Sequence, residues 1–129
     1  MSLQNKILLP CINEKPINKE ELEKFWTRMN KTLDEIEQIW LDNGKKNYIA
    51  GGDKISVADI VAVCELEQPL MAGFDVRTNR PVLTAYMERI RLELNPHYDD
   101  VHQKVYQVRD AFKGEIPSKE EFVKYFWQN

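Results

Sequence analysis

The first half of the chain has apolar side chains at steps of three and four, a repeat typical of one helical face. We expect a long helix with Asn18 as its N-cap and Gly44 as its stop. Charged pairs such as Glu20 and Lys24 lie on the opposite, solvated face. The predicted inward stripe of this helix comprises Leu22, Phe25, Trp26, Met29, Leu33, Ile36, Ile39 and Trp40.

The middle of the chain contains a helix-start motif followed by a segment that is apolar almost all the way round. Ser56 and Asp59 have the spacing of a capping box, in which each side chain binds the backbone N–H of the other residue. Ile55 and Ile60 have the spacing of the hydrophobic staple that accompanies such a box. Because a helix without a polar face is normally buried on all sides, we expect residues from Ser56 to about Ala72 to form a central buried helix.

Three further helices are predicted downstream. Pro69 should kink or shorten the end of the central helix, and Pro81 fits the first turn of the next one. A helix from Tyr98 to Phe112 should bury Val101 and Val108, and a last helix should begin at a second capping box. Strand-like alternation is absent from these patterns. The sequence therefore predicts an all-α domain of about five helices around one buried central helix.

Composition limits the classes of function that are open to the chain. With 129 residues and 43% apolar side chains, it has the size of one domain with a real core. A net charge of −3 argues against a nucleic-acid surface, which is normally basic. No apolar run approaches the roughly 20 residues of a membrane span. Two cysteines are too few for a disulfide framework, so we expect a soluble cytoplasmic protein without a membrane role.

The residues that could carry chemistry do not fall in a catalytic pattern. Ser56 is accounted for by its capping role and does not lie in a nucleophile elbow. His97 and His102 are five residues apart, do not share a helix face and lack the ligand spacing of a metal site. Asp99 and Asp100 fit the acidic first turn that a helix dipole favours. We therefore predict no catalytic residue and no metal site in this chain.

The segment Ser56-Val57-Ala58-Asp59, preceded by Ile49-Ala50-Gly51, resembles the core signature of the C-terminal domain of cytosolic glutathione transferases. In that family the box opens the central helix of an all-helical domain. The likeness runs from about Ile7 to Phe112. Segments that resemble the theta class in particular are Leu8-Leu9-Pro10, Cys64-Glu65-Leu66-Glu67-Gln68-Pro69, Ala72-Gly73-Phe74-Asp75-Val76 and Asn79-Arg80-Pro81-Val82-Leu83.

The resemblance implies one domain over residues 1–129, in which residues 1–16 are the remnant of the family domain's first helix. The family's thioredoxin-like domain, which binds glutathione, has no counterpart in this sequence. We therefore expect a fragment or truncated form of a theta-like transferase, an enzyme that conjugates glutathione to small electrophiles in detoxification. Glutathione is then the co-substrate of the full enzyme, and this chain is expected to bind no cofactor itself. A homodimer stays open, because the family's dimer contacts also involve the missing domain.

The resemblance also implies candidate substrate-binding residues. Leu8, Leu9 and Ile12 match the apolar wall of the family's electrophile pocket, and Tyr125 matches an aromatic residue of its C-terminal cover. The alternative for these four residues is that they complete the core. An alternative function is also open, because domains of this fold serve as non-catalytic protein–protein interaction modules in translation factors and aminoacyl-tRNA synthetase complexes.

The capping box allows a prediction about stability. For Asp59→Ala we expect the free energy of unfolding to fall by about 1–2 kcal/mol, because the cap is lost.

Overall fold

The computed structural model describes residues 19–112, and every regular element in that range is helical. The all-α prediction is therefore confirmed for this part of the chain. The predicted cap Asn18, the first-helix remnant and the helix after Ser118 lie outside the described residues. The α-helices of the described range are α1 (Lys19–Glu35), α2 (Val57–Glu67), α3 (Pro81–Leu94) and α4 (His97–Phe112). A π-helical turn covers Ile36–Trp40, and 3-10 turns cover Asp42–Gly44 and Gln68–Ala72.

One apolar cluster holds these helices together, and all four α-helices contribute to it. Fully burying a large apolar side chain contributes about 1.5–3 kcal/mol, so such a cluster dominates the stability of the domain. Tyr48 and Ile49, in the segment before α2, also pack against it. Its most completely buried members are Leu33, Leu41, Val63, Val76, Leu83, Tyr86, Met87, Ile90 and Tyr98.

The end of the first long helix departs from the predicted periodicity. The predicted stripe includes Ile39 and Trp40, but these side chains are 64% and 45% exposed. The Leu41 N–H donates to the Ile36 carbonyl, five residues earlier, at 2.9 Å, which widens this turn. The wider turn rotates the following side chains, so that Leu41 is buried instead. Gly44, with φ of 88°, ends the segment as predicted.

The central helix α2 is buried on one side only, which corrects the expectation of burial on all sides. Val57 and Val61 are 75% and 57% exposed, and Ile60 and Cys64 are exposed as well. We call these four residues the α2 stripe. The remaining described helices pack against the opposite side of α2 and leave the stripe uncovered. That opposite side buries Asp59, Val63, Leu66 and Glu67.

The proline signals around α2 and α3 are confirmed. The α-helical part of α2 ends at Glu67, and the chain continues through the 3-10 turn that contains Pro69. Gly73, with φ of 76°, closes this turn in the left-handed region. Pro81 occupies the first position of α3, as predicted. The inward residues of α3 are Leu83, Tyr86, Met87 and Ile90.

The inward face of α4 is rotated from the predicted one. Val108 is buried as predicted, but Val101 is 68% exposed. Tyr98 and His102 take the inward positions instead. Both can be buried because their polar atoms have partners: the Tyr98 hydroxyl donates to Glu67, and His102 Nδ1 lies 2.8 Å from the Tyr98 carbonyl oxygen.

Candidate functional site

An apolar groove with a volume of about 710 Å³ lies between α1 and α2. Ligand pockets typically measure roughly 300–1,000 Å³ and are lined mainly by apolar side chains. Charged side chains on its border are Glu21, Lys24, Arg28 and Glu65. The groove therefore has the size and lining to hold a small apolar molecule. Its apolar lining comprises Phe25, Met29, Leu33, Ile36, Trp40, Ala62, Leu66, Pro69 and Val76.

The helical repeat of α1 supplies one wall of this groove. Phe25 and Met29 are four residues apart and lie one above the other on the same helix face. The π-helical turn then carries Trp40 to the border of the groove. Beside this wall, the Trp26 ring stacks on Phe74 with centroids 4.7 Å apart, and the Phe25 ring meets Trp26 edge-on at 5.0 Å. Aromatic contacts thus connect the wall to the loop before α3.

Asp59 is a buried hydrogen-bond centre rather than an exposed acid. Its Oδ1 accepts from the Ile49 N–H at 2.8 Å and from the Tyr86 hydroxyl at 3.0 Å. Its Oδ2 accepts from the N–H and hydroxyl of Ser56, at 2.9 and 2.7 Å, within a capping box. Burial acts to raise the pKa of Asp59, but hydrogen bonds from Ile49, Ser56 and Tyr86 outweigh it and hold the pKa below its usual value.

The two residues of the predicted staple have different surroundings. Ile55 packs against the apolar core, whereas Ile60 belongs to the exposed α2 stripe. Sequence reasoning also missed the Ile49 and Tyr86 contacts of Asp59, because no local spacing connects residues so far apart in the chain. Asp59 therefore holds the start of α2, the preceding segment and α3 together, and its carboxylate is occupied by structural donors.

Glu67 is a second buried carboxylate, and sequence reasoning gave it no role of its own. Its Oε1 accepts from the Tyr98 hydroxyl at 2.6 Å and pairs with the guanidinium of Arg77. That guanidinium also contacts Asp75 Oδ1 at 3.2 Å. Burial and the bond to Glu67 raise the pKa of the Tyr98 hydroxyl. Glu67 Oε2 is buried and has no hydrogen-bond partner among residues 19–112.

The electrophile-binding residues implied by the resemblance cannot be placed against this groove. Leu8, Leu9, Ile12 and Tyr125 all lie outside the described residues. Their role as pocket walls therefore stays a prediction.

The histidines and acidic residues of α4 are held apart from one another. His102 is buried against the Tyr98 ring, with centroids 4.4 Å apart, whereas His97 is exposed. Asp99 forms a two-point ion pair with Arg91 at 2.8 and 2.9 Å, and this contact lowers the pKa of Asp99. Between Lys19 and Phe112, no group of three or more His, Cys, Asp or Glu side chains could hold a metal ion.

In the same range, no helix has the length and apolar content needed to cross a bilayer.

Comparison with known proteins assigns a family to this arrangement. The family model for the glutathione S-transferase C-terminal domain matches residues 1–92. Glutathione S-transferase theta-3 of Mus musculus is 28% identical over 95% of this chain and 50% of its own length. Glutathione S-transferase theta-1 of Homo sapiens is 27% identical over 84% of this chain and 45% of its own length. Glutathione S-transferase T1 of Arabidopsis thaliana is 25% identical over the same two shares, 84% and 45%.

The chain spans about half the length of the curated animal relatives that it matches. No solved structure matches it. The family match covers more than half of the chain, and the described helices agree with the all-helical domain that it names. The chain therefore belongs to the glutathione S-transferase family, as a C-terminal domain similar to that of the theta class.

Proposed function

We propose that this chain is the helical half of a theta-like glutathione transferase and that it supplies the apolar side of the electrophile site. The observation that carries the proposal is the groove between α1 and α2, whose volume and apolar lining suit a small organic molecule. Membership of the family supports the reaction class. We further propose that the protein acts in the cytoplasm, with glutathione as co-substrate of the full enzyme and a homodimer as its assembly.

In this proposal the reacting thiolate is held by a glutathione-binding half outside these 129 residues. The reaction forms a bond between the sulfur and the electrophilic carbon, and the leaving group departs with the bonding electrons. The described part of the chain contributes binding and orientation, because holding the two reactants together removes much of the entropic cost of their encounter. Leu8, Leu9, Ile12 and Tyr125 are proposed as further walls of the same pocket.

The proposal is tested by measuring binding and turnover separately. Nitrobenzyl chloride should bind the isolated chain and quench the emission of Trp40, which borders the groove. In a conjugation assay with glutathione, the isolated chain should give no turnover above the uncatalysed rate. Appreciable turnover would contradict the assignment of the thiol chemistry to the other half.

A matched pair of variants locates the binding site. Ala62→Leu places extra volume in the groove and should weaken nitrobenzyl chloride binding at least about fivefold. Ala111→Leu makes the same change at an exposed position on α4 that does not line the groove, and it should leave the affinity within about twofold. Equal affinities for both variants would show that the groove is not the site.

A second candidate function, a non-catalytic protein–protein interaction module, is favoured by one observation. The α2 stripe exposes Val57, Ile60 and Val61 on one helix face. Contiguous apolar surface of this kind favours association with another protein or domain. This alternative is distinguished from the first by nitrobenzyl chloride, since an interaction module needs no affinity for a small electrophile.

A further inference from the structure

We propose that Glu67 and Arg77 form an ion-pair latch that positions the wall of the apolar groove, an inference that rests on the proposed function. The latch joins the last residue of α2 to the loop of residues 73–80. The Tyr98 hydroxyl donates to the same Glu67 oxygen, so α4 is held at this point as well. Neither Glu67 nor Arg77 lines the groove, and both are therefore positioning residues.

A carboxylate is an unfavourable choice at this position if stability alone is considered. Glu67 is completely buried at the C-terminal end of α2, where the helix dipole opposes negative charge. One of its oxygens is buried without a hydrogen-bond partner in the described part of the chain. Replacing a buried ion pair by apolar side chains of similar volume is often neutral or stabilising. We infer that the pair is retained because it specifies one position of the loop.

Each of the two latch residues directly follows a residue that lines the groove. Glu67 follows Leu66, and Arg77 follows Val76, and both of these neighbours are buried residues that line the groove. Asp75 Oδ1 accepts a hydrogen bond from the Arg77 backbone N–H at 3.0 Å, in addition to the one from the guanidinium. The loop therefore carries its anchor directly beside its groove-lining side chain.

The same loop also contacts an aromatic side chain of α1 that lies beside the groove wall. Phe74, three residues before Arg77, stacks on Trp26. When the ion pair is removed, the loop gains alternative positions, so the end of the groove formed by Val76 changes shape and the Trp26–Phe74 stack loosens. The latch thus controls groove shape and Trp26 environment together.

Trp26 provides a reporter that does not depend on any electrophile. Replacing Trp40 and Trp127 by Phe leaves Trp26 as the only tryptophan of the chain. In this background, the double variant Glu67→Met/Arg77→Met removes the latch and keeps apolar side chains of similar length. Arg91→Met/Asp99→Leu is the matched control, because it removes an ion pair between α3 and α4 that does not border the groove.

We expect the latch variant to remain folded, with the rate of acrylamide quenching of Trp26 raised at least about twofold and its emission shifted to the red. Its affinity for the apolar probe anilinonaphthalene sulfonate, measured from the fluorescence of the probe, should change by at least about fivefold. The control pair should change neither quantity.

Unchanged quenching of Trp26 in the folded latch variant overturns the proposal. If the double variant does not fold, Arg77→Met serves for the same comparison, since it removes the guanidinium from Glu67 and leaves the Tyr98 hydroxyl with its acceptor. Unchanged quenching in that variant overturns the proposal equally. If the latch variant changes the Trp26 signal but the wild-type chain binds neither anilinonaphthalene sulfonate nor nitrobenzyl chloride, the latch is supported. Only the proposed function is then contradicted.

Discussion

Asp59 illustrates which contacts of a residue can be read from the sequence. Its bonds to Ser56 follow from a spacing of three residues, so a local motif predicts them. Its bonds to Ile49 and Tyr86 span 10 and 27 residues and leave no local pattern. The loss of about 1–2 kcal/mol expected for Asp59→Ala counts the cap alone. The structure adds two donors that lose their acceptor in that variant.

We therefore predict that Asp59→Ala lowers the free energy of unfolding by about 3–5 kcal/mol, because several buried donors are left unsatisfied at once. Urea unfolding at neutral pH measures this loss. Asp53→Ala, which alters an exposed carboxylate in the preceding loop, is the matched control and should cost less than about 0.5 kcal/mol. A loss no larger than that of the control would show that the Asp59 bonds do not form.

The destabilisation caused by Asp59→Ala should depend on pH, and the direction of the Asp59 pKa shift determines how. The folded pKa of Asp59 lies below its ordinary value of 3.8, so the carboxylate stabilises the folded state fully above that value. The stability is lost as the pH falls through the folded pKa. The gap in unfolding free energy between the wild type and Asp59→Ala should therefore be constant above about pH 5 and shrink below about pH 4.

Among the elements, the start of α3 depends on a side chain from a distant helical turn. Arg80, the N-cap of α3, makes no side-chain capping bond within the described residues. Glu37 instead accepts from the Leu83 N–H at 2.9 Å through Oε1 and pairs with Arg80 at 3.1 Å through Oε2. The π-helical turn that exposes Ile39 thus places Glu37 at the positive end of α3.

We predict that Glu37→Ala destabilises the domain by about 0.5–2 kcal/mol, the usual range for a lost N-cap. Hydrogen exchange at the Leu83 amide should accelerate, because this N–H loses its acceptor. Glu35→Ala, which alters an exposed carboxylate at the end of α1, is the control and should leave exchange in α3 unchanged. Equal exchange at Leu83 in both variants would contradict the cap.

The boundaries of the elements were easier to predict than their inward faces. Pro69, Pro81 and Gly44 act through their own backbone geometry, so their effects are local and were predicted correctly. The inward face of α4 depends on partners supplied by other elements. Counting apolar residues favoured Val101, but Tyr98 is buried because Glu67, on a different helix, accepts a hydrogen bond from its hydroxyl.

Across the whole molecule, the α2 stripe marks the limit of what periodicity can predict. The apolar sequence of α2 correctly indicates a helix with several apolar faces, but it does not specify what covers each of them. The described helices cover one side, and the chain spans about half the length of its curated animal relatives. The shape of the apolar groove cannot be read from periodicity either, since Val76, which lines one end of it, lies on the loop that the contact between Glu67 and Arg77 anchors across ten residues.

The exposed stripe leads to a prediction about association of the isolated chain. We expect light scattering to detect concentration-dependent association that added salt does not weaken, since apolar contacts are not screened. Val57→Lys/Val61→Lys introduces charge into the stripe at exposed positions and should suppress association while changing the unfolding free energy by less than about 0.5 kcal/mol. Leu92→Lys, at an apolar position on α3 that is 69% exposed, is the control and should associate as the wild type does. A wild-type chain that stays monomeric at high concentration would show that the α2 stripe does not mediate association. The interaction-module alternative would then lose its support.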